Sequence, residues 1–136
     1  MEELKANLEH FGIKNCPINT TFEIIGKKFT LNILRNMIYM NHSRFNQFLG
    51  NVEGISPKTL SRRLDEMEKD KLIKRSVFNE TPVRIEYTLT EKGKFVQSIL
   101  EQMAVFSMKY EAKTIFRDCK PHTFKQVFGK NPSYNK

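Results

Sequence analysis

Residues Gly54–Leu72 read GISPKTLSRRLDEMEKDKL, and the organisation of the whole chain follows from this stretch. Ser56 is a helix N-cap, because its hydroxyl can accept from the unpaired amides of the first turn. Pro57 suits the first helical position, where no N–H is needed and φ is already correct. Ile55 and Leu60 have the spacing of a hydrophobic staple across that cap. Leu60, Leu64 and Met67 then recur at i, i+4 and i+7 and form one inward stripe. The opposite face carries Lys58, Thr59, Arg62, Asp65 and Glu66, with Ser61 and Arg63 on its flanks. Positive charge gathers in the first half and negative charge in the second. That polarity suits a helix entering a DNA major groove N-terminus first.

Upstream, Leu4, Leu8 and Phe11 mark a short amphipathic helix over 3–11, closed by Gly12, and 14–19 reads as a turn around Cys16-Pro17. A helix capped by Thr20 or Thr21 is expected to run to Ile25 and stop at Gly26. Residues 29–40 are apolar around more than half of a helical wheel, which predicts the most buried helix. Ser43 opens a further short helix with Phe45, Phe48 and Leu49 at i, i+3 and i+4, ending near Gly50. Downstream of Leu72 the period changes from 3.6 to 2. Residues 73–78 and 83–89 read as two strands of a β-hairpin around a turn at 79–82.

Thr90 caps a long final helix whose stripe Val96, Ile99, Leu100, Met103, Phe106 and Tyr110 keeps helical spacing for over four turns. A monomer of this size has little left to cover it, which points to a partner subunit. Phe124, Val127 and Phe128 also keep helical spacing, so part of the C-terminal segment is expected to pack. The order of elements is that of a helix-turn-helix with a wing. The expected fold is therefore mainly α with a small β-hairpin wing. A helix fits the major groove, and side chains of its first turns can meet base edges there.

The 136 residues carry a formal net charge of +8, which favours an anionic partner. Charge does not single out the recognition helix, however. Residues 56–84 hold eight basic and five acidic residues, net +3, whereas 109–136 hold seven basic and two acidic, net +5. The basic C-terminal segment reads equally well as a solubilising tail. No apolar run approaches membrane-spanning length, and the N-terminus lacks the apolar stretch of a signal peptide. Two distant cysteines make no disulfide framework, so a cytoplasmic location and no membrane partner are expected. His10, His42 and His122 have no metal-ligand spacing. No phosphate loop, nucleophile elbow or paired-carboxylate pattern is present, so neither a metal, a cofactor nor an enzyme activity is expected. The methionines Met37, Met40, Met67, Met103 and Met108 read as core filling.

The candidate DNA contacts are Ser56, Lys58, Thr59, Arg62 and Arg63 on the recognition helix, about 56–70. Arg can pair with guanine O6 and N7, while Lys and Thr more often meet phosphate. Arg44 and Asn46 begin the preceding helix and are phosphate ligands on this reading, with Gln47 a weaker candidate. Lys74 stands at the base of the wing, about 73–89. Arg84, just past its turn, reaches either the DNA backbone or minor groove, or forms a cross-strand ion pair within the hairpin. Asp65 and Glu66 are expected to pair one turn away with Arg62 or Lys69.

Five segments in this order carry a family resemblance: Cys16-Pro17, residues 25–35 (IGKKFTLNILR), 44–49 (RFNQFL), 54–60 (GISPKTL) and 82–93 (PVRIEYTLTEKG). From about Cys16 to Met103 the chain resembles the HxlR-type winged helix-turn-helix regulators, relatives of the MarR-like proteins. Phe29 stands where that family usually has tryptophan; an aromatic is retained, and packing is expected to change little.

The resemblance implies a transcriptional regulator that binds double-stranded DNA at a roughly palindromic operator as a homodimer. Its two recognition helices would lie about 34 Å apart, one DNA turn. It also implies terminal helices at the dimer interface, here 1–11 and 91–116, around a DNA-binding core of 12–90, all within one domain of 1–136 that ends in a basic tail, 117–136. Some members sense oxidants or electrophiles through an N-terminal cysteine, so Cys16 has two readings: a redox or effector-sensing thiol beside Lys14, or a small half-buried structural thiol. A winged helix used as a protein-interaction module, without specific DNA binding, is the alternative function.

Overall fold

Among residues 1–135, which the computed structural model describes, eight α-helices and one hairpin follow in chain order. They are α1 (Glu2–His10), α2 (Pro17–Ile25), α3 (Thr30–Met40), α4 (Phe45–Asn51), α5 (Pro57–Lys69), β1 (Ile73–Phe78), β2 (Arg84–Leu89), α6 (Glu91–Tyr110), α7 (Ala112–Ile115) and α8 (Phe124–Phe128). A short 3-10 turn, Ser133–Asn135, follows. The architecture is a winged helix-turn-helix, mainly α with one antiparallel wing.

Helix α5 forms as its sequence dictates. The Ser56 hydroxyl accepts from the Thr59 amide at 3.1 Å, Pro57 occupies the first turn, and Ile55 and Leu60 are both buried across the cap. Gly54 takes φ +81 in the turn before it, a left-handed conformation that costs glycine least. Leu60, Leu64 and Met67 enter the core beside Ile33, Leu34 and Met37 of α3, which is lined by buried residues as expected. Phe48 of α4 meets Tyr87 of β2 edge to face, and the Tyr87 amide donates to the Ser43 carbonyl at 2.8 Å. These two interactions join the wing to the start of the helix-turn-helix.

Strand register pairs Ile73 with Leu89, Ser76 with Glu86 and Phe78 with Arg84. Period-2 alternation therefore puts Lys74, Ser76, Phe78, Arg84, Glu86 and Thr88 on one face. Thr90 then turns the chain: its hydroxyl donates to the Leu72 carbonyl at 3.0 Å and accepts from the Gly93 amide at 3.1 Å. Gly93 lets α6 press against the base of the hairpin. A Cβ there would stand 2.1 Å from the Leu72 carbonyl oxygen, backbone that cannot step aside.

Several local expectations are corrected. α2 begins at Pro17 with Cys16 as N-cap, not at Thr20 or Thr21; those hydroxyls instead donate back to the carbonyls of Cys16 and Pro17 at 3.0 and 3.1 Å. Proline at the first position starts the helix one turn earlier than the threonines would. α4 starts after Arg44 rather than Ser43, because the Gln47 side-chain oxygen accepts the amides of both Ser43 and Arg44. Met40 and Met103 are exposed; only Met37, Met67 and Met108 fill core. Glu66 pairs with Lys27 and Arg63, not with Arg62 or Lys69.

The segment after α6 is no loose tail. It turns back along α6, burying Ala112 and Phe124, and it is fastened by Glu101, whose side chain is almost completely buried. One Glu101 oxygen accepts the Ser133 amide and hydroxyl at 2.6 and 2.9 Å, and the other accepts from Gln97 at 3.0 Å. A buried carboxylate is tolerated because both of its oxygens accept hydrogen bonds. At the other end of the chain α1 has no buried residue, and Leu4, Leu8 and Phe11 are exposed. The stripe of α6 divides: Val96 is buried, while Met103, Phe106 and Tyr110 face outward.

Candidate nucleic-acid interface

Lys58 and Arg62 lie four residues apart, hence on one outward face of α5, the face opposite the buried stripe. Both are exposed, and among the described residues neither has a side-chain hydrogen bond or ion pair. Ser56 and Thr59 cap the helix and bond each other through their hydroxyls at 3.0 Å, so their oxygens sit at the leading end of α5. Arg63 behaves differently. Its Nε donates to the Lys28 carbonyl at 2.8 Å, Nη1 reaches Glu66 at 3.2 Å, and the side chain is only 15% exposed. It holds α5 to the turn before α3, and its guanidinium is committed there.

A second cluster gathers beside the wing. Arg44 and Asn46 from the start of α4, Arg84 from β2 and Pro82 from the turn line one groove of about 540 Å³. Segments far apart in sequence thus come together. Arg84 stacks on Phe78, 4.2 Å from its ring centre, and its guanidinium reaches Glu86 at 2.8 Å and Glu80 at 3.1 Å. Glu86 also meets Arg44 at 3.6 Å. Both cations of the groove are therefore held by carboxylates in the free protein.

Sequence alone left an ion pair within the hairpin open for Arg84; it forms, not across the strands but with Glu86 on the same strand and Glu80 in the turn. Arg84 and Glu86 are two residues apart on one strand and so share a face. Arg44's part in the network depends on tertiary packing. Lys74 is exposed on the same face of the hairpin, opposite Thr88. Gln47, a weak candidate for DNA, is occupied as the helix cap. Cys16 is exposed rather than half-buried, as is Cys119. Among the described residues no three His, Cys, Asp or Glu side chains assemble a metal site, and no helix is long and apolar enough to cross a membrane.

A free basic face on a capped helix, a short helix before it and a hairpin after it form a winged helix-turn-helix, and residues 24–114, which contain it, match the HxlR-like helix-turn-helix family. The chain belongs to the HxlR-like family. It is 31% identical over 96 residues to the HTH-type transcriptional regulator YodB of Bacillus subtilis, covering 70% of this chain and 85% of YodB. The reduced form of YodB superposes with a TM-score of 0.61 at 33% identity, covering 71% of this chain and 94% of that one. The redox regulator HypR in its oxidized form gives 0.62 at 31% identity, with 68% and 94% covered. A MarR-family regulator from Enterococcus faecalis V583 gives 0.63 at 28% identity, with 76% and 96% covered. Like these HxlR and MarR-like relatives, the chain is a transcriptional regulator built on a helix-turn-helix. The HxlR-like match ends at residue 114, so most of the strap that returns along α6 lies beyond it.

Proposed function

We propose that the chain is a cytoplasmic, sequence-specific DNA-binding regulator that acts as a homodimer on a palindromic operator. The observation that carries this reading is the outward pair Lys58 and Arg62 on a helix whose leading turn presents Ser56 and Thr59. Arg62 reads a base edge, and Lys58 and Thr59 meet phosphate or the neighbouring base. Arg44, Asn46, Lys74 and Arg84 grip the flanking backbone, with Arg44 and Arg84 exchanging Glu86 for phosphate on binding. Arg63 supports the helix rather than touching DNA. The uncovered apolar side chains of α1 and of the second half of α6 support a dimer joined through terminal helices, since burial of such surface drives association.

The test is fluorescence anisotropy on the intergenic DNA beside the gene, searched first for an inverted repeat. Specific, salt-sensitive binding is expected, and Arg62→Ala should remove it while leaving the folded dimer intact. Binding unchanged by that substitution would remove α5 as the reading element. Failure of every genomic fragment to bind would favour the protein-interaction module instead.

A thiol switch is supported by a separate observation: Cys16 is exposed at the N-terminus of α2. Relatives have been solved in redox-defined forms, YodB reduced and diamide-treated, HypR oxidized and reduced. On this reading operator affinity changes with diamide and recovers with dithiothreitol, and Cys16→Ser abolishes the response. An insensitive wild type would dispose of the switch without touching the DNA-binding assignment.

A further inference from the structure

The strap beyond α7 borders an open groove of about 470 Å³ along α6. That volume lies inside the range of about 300–1,000 Å³ in which small-molecule sites fall. Its walls are apolar: Val105 from α6, Pro121 and Phe124 from the approach to α8, and Pro132 and Tyr134 from the returning end. The two last flank Ser133, whose bonds to buried Glu101 hold that wall in place.

Charge in the lining has one sign. Lys109 and Lys125 both border the groove, as does His122, and among the described residues no carboxylate does. Lys109 rests over the Tyr110 ring at 5.2 Å, and among the described residues neither lysine has an acidic partner. His122 is bonded through Nε2 to Asp118 at 2.7 Å, outside the lining. Residues 109–136 hold seven basic residues against two acidic ones, so the surrounding field is positive as well. The cations here are ammonium groups, point charges rather than the fork of an arginine, so they call for an anionic oxygen and not for a bidentate partner. Apolar walls bordered by two ammonium groups without acidic partners fit a compact hydrocarbon body ending in a single carboxylate.

We propose that this groove binds an amphipathic monocarboxylate, an aromatic or medium-chain aliphatic acid, with the apolar body against Phe124 and Pro132 and the carboxylate between Lys109 and Lys125. The site goes beyond the DNA-binding reading and stands whether or not α5 reads an operator.

The experiment titrates the full-length protein with naphthoate and octanoate, and with naphthalenemethanol and octanol as neutral counterparts, by calorimetry and amide NMR. Both acids should bind saturably, and the alcohols about tenfold more weakly. Amide shifts should centre on 105–109 and 121–126. Replacing both Lys109 and Lys125 with Gln should weaken the acids about tenfold, while Lys113→Gln, outside the groove, leaves them unchanged. Neither replaced side chain holds an ion pair among the described residues, so the variant keeps the fold, which its amide spectrum verifies. The assignment is overturned if neither acid saturates, if the alcohols bind as tightly, if the double variant binds like wild type, or if shifts centre on the apolar cleft at Phe22 and Met103.

Discussion

Arg63 leaves the outward face of α5 and donates from Nε to the Lys28 carbonyl oxygen at 2.8 Å. One basic residue of α5 therefore serves as a tether, next to Arg62, which has no partner among the described residues. Arg63→Ala should destabilise the fold by about 1.5–3 kcal/mol, the usual range for a hydrogen bond to a charged group. Arg62→Ala should leave the urea midpoint within error and act on DNA binding alone. Urea unfolding of both variants separates the two roles; equal stability would refute the tether.

Glu86 neutralises Arg44 and Arg84 in the free protein. Glu86→Gln should release Arg44, leave Arg84 held by Glu80 alone, and strengthen binding to any duplex. Each additional phosphate that a freed cation neutralises steepens the log–log salt dependence by about 0.9. Anisotropy across a potassium chloride series measures that slope, and an unchanged slope would mean the carboxylate does not compete with DNA.

At Gly93 an alanine methyl would collide with the Leu72 carbonyl. Gly93→Ala should cost more than about 2 kcal/mol by prising α6 from the hairpin base, despite the better helix propensity of alanine. Thr90→Ala, which loses a cap, should cost about 1 kcal/mol. Thermal unfolding gives the ranking, and a stabilised Gly93→Ala protein would contradict the close approach.

Ser133 is the strap's fastening to Glu101. Glu101→Ala should free the returning end, seen as faster amide exchange and earlier proteolysis around 120–134, with the wing and α5 unaffected. Uniform loosening of the whole chain would show instead that Glu101 supports the core.

Partial burial and, secondly, the Glu101 carboxylate raise the Tyr39 phenol above its ordinary value. The folded state resists ionisation that the unfolded chain undergoes, so this contribution is present below about pH 10 and is lost as pH rises through the folded value. Stability should fall along the alkaline limb more steeply than in Tyr39→Phe. Phenolate absorbance combined with urea midpoints across that range tests the sign.

Most of the fold was legible in the chain because local rules agree with one another. The Ser56–Pro57 start, the stripe of Leu60, Leu64 and Met67, the change of period after Leu72 and the cap at Thr90 each dictate one element, and their order dictates the winged architecture. Periodicity reports which face of an element is apolar, and caps report where it begins. Neither reports where a long side chain ends up. The helical wheel puts Arg62 on the outward face and Arg63 on its flank, but it does not report that Arg63 finds a carbonyl 35 residues away. Arg44 reads as a free cation, and Arg84 as either free or paired within the hairpin, until packing brings Glu86 between them. A basic tail, in which the spacing of Phe124, Val127 and Phe128 predicts only some packing, becomes a strap because Glu101, an acid within a helix, is buried where Ser133 can satisfy it. Sequence alone settled elements, order and family, since these follow from spacing along the chain. Tertiary structure decided which charges remain free, because neutralisation depends on distances between residues that are remote in sequence.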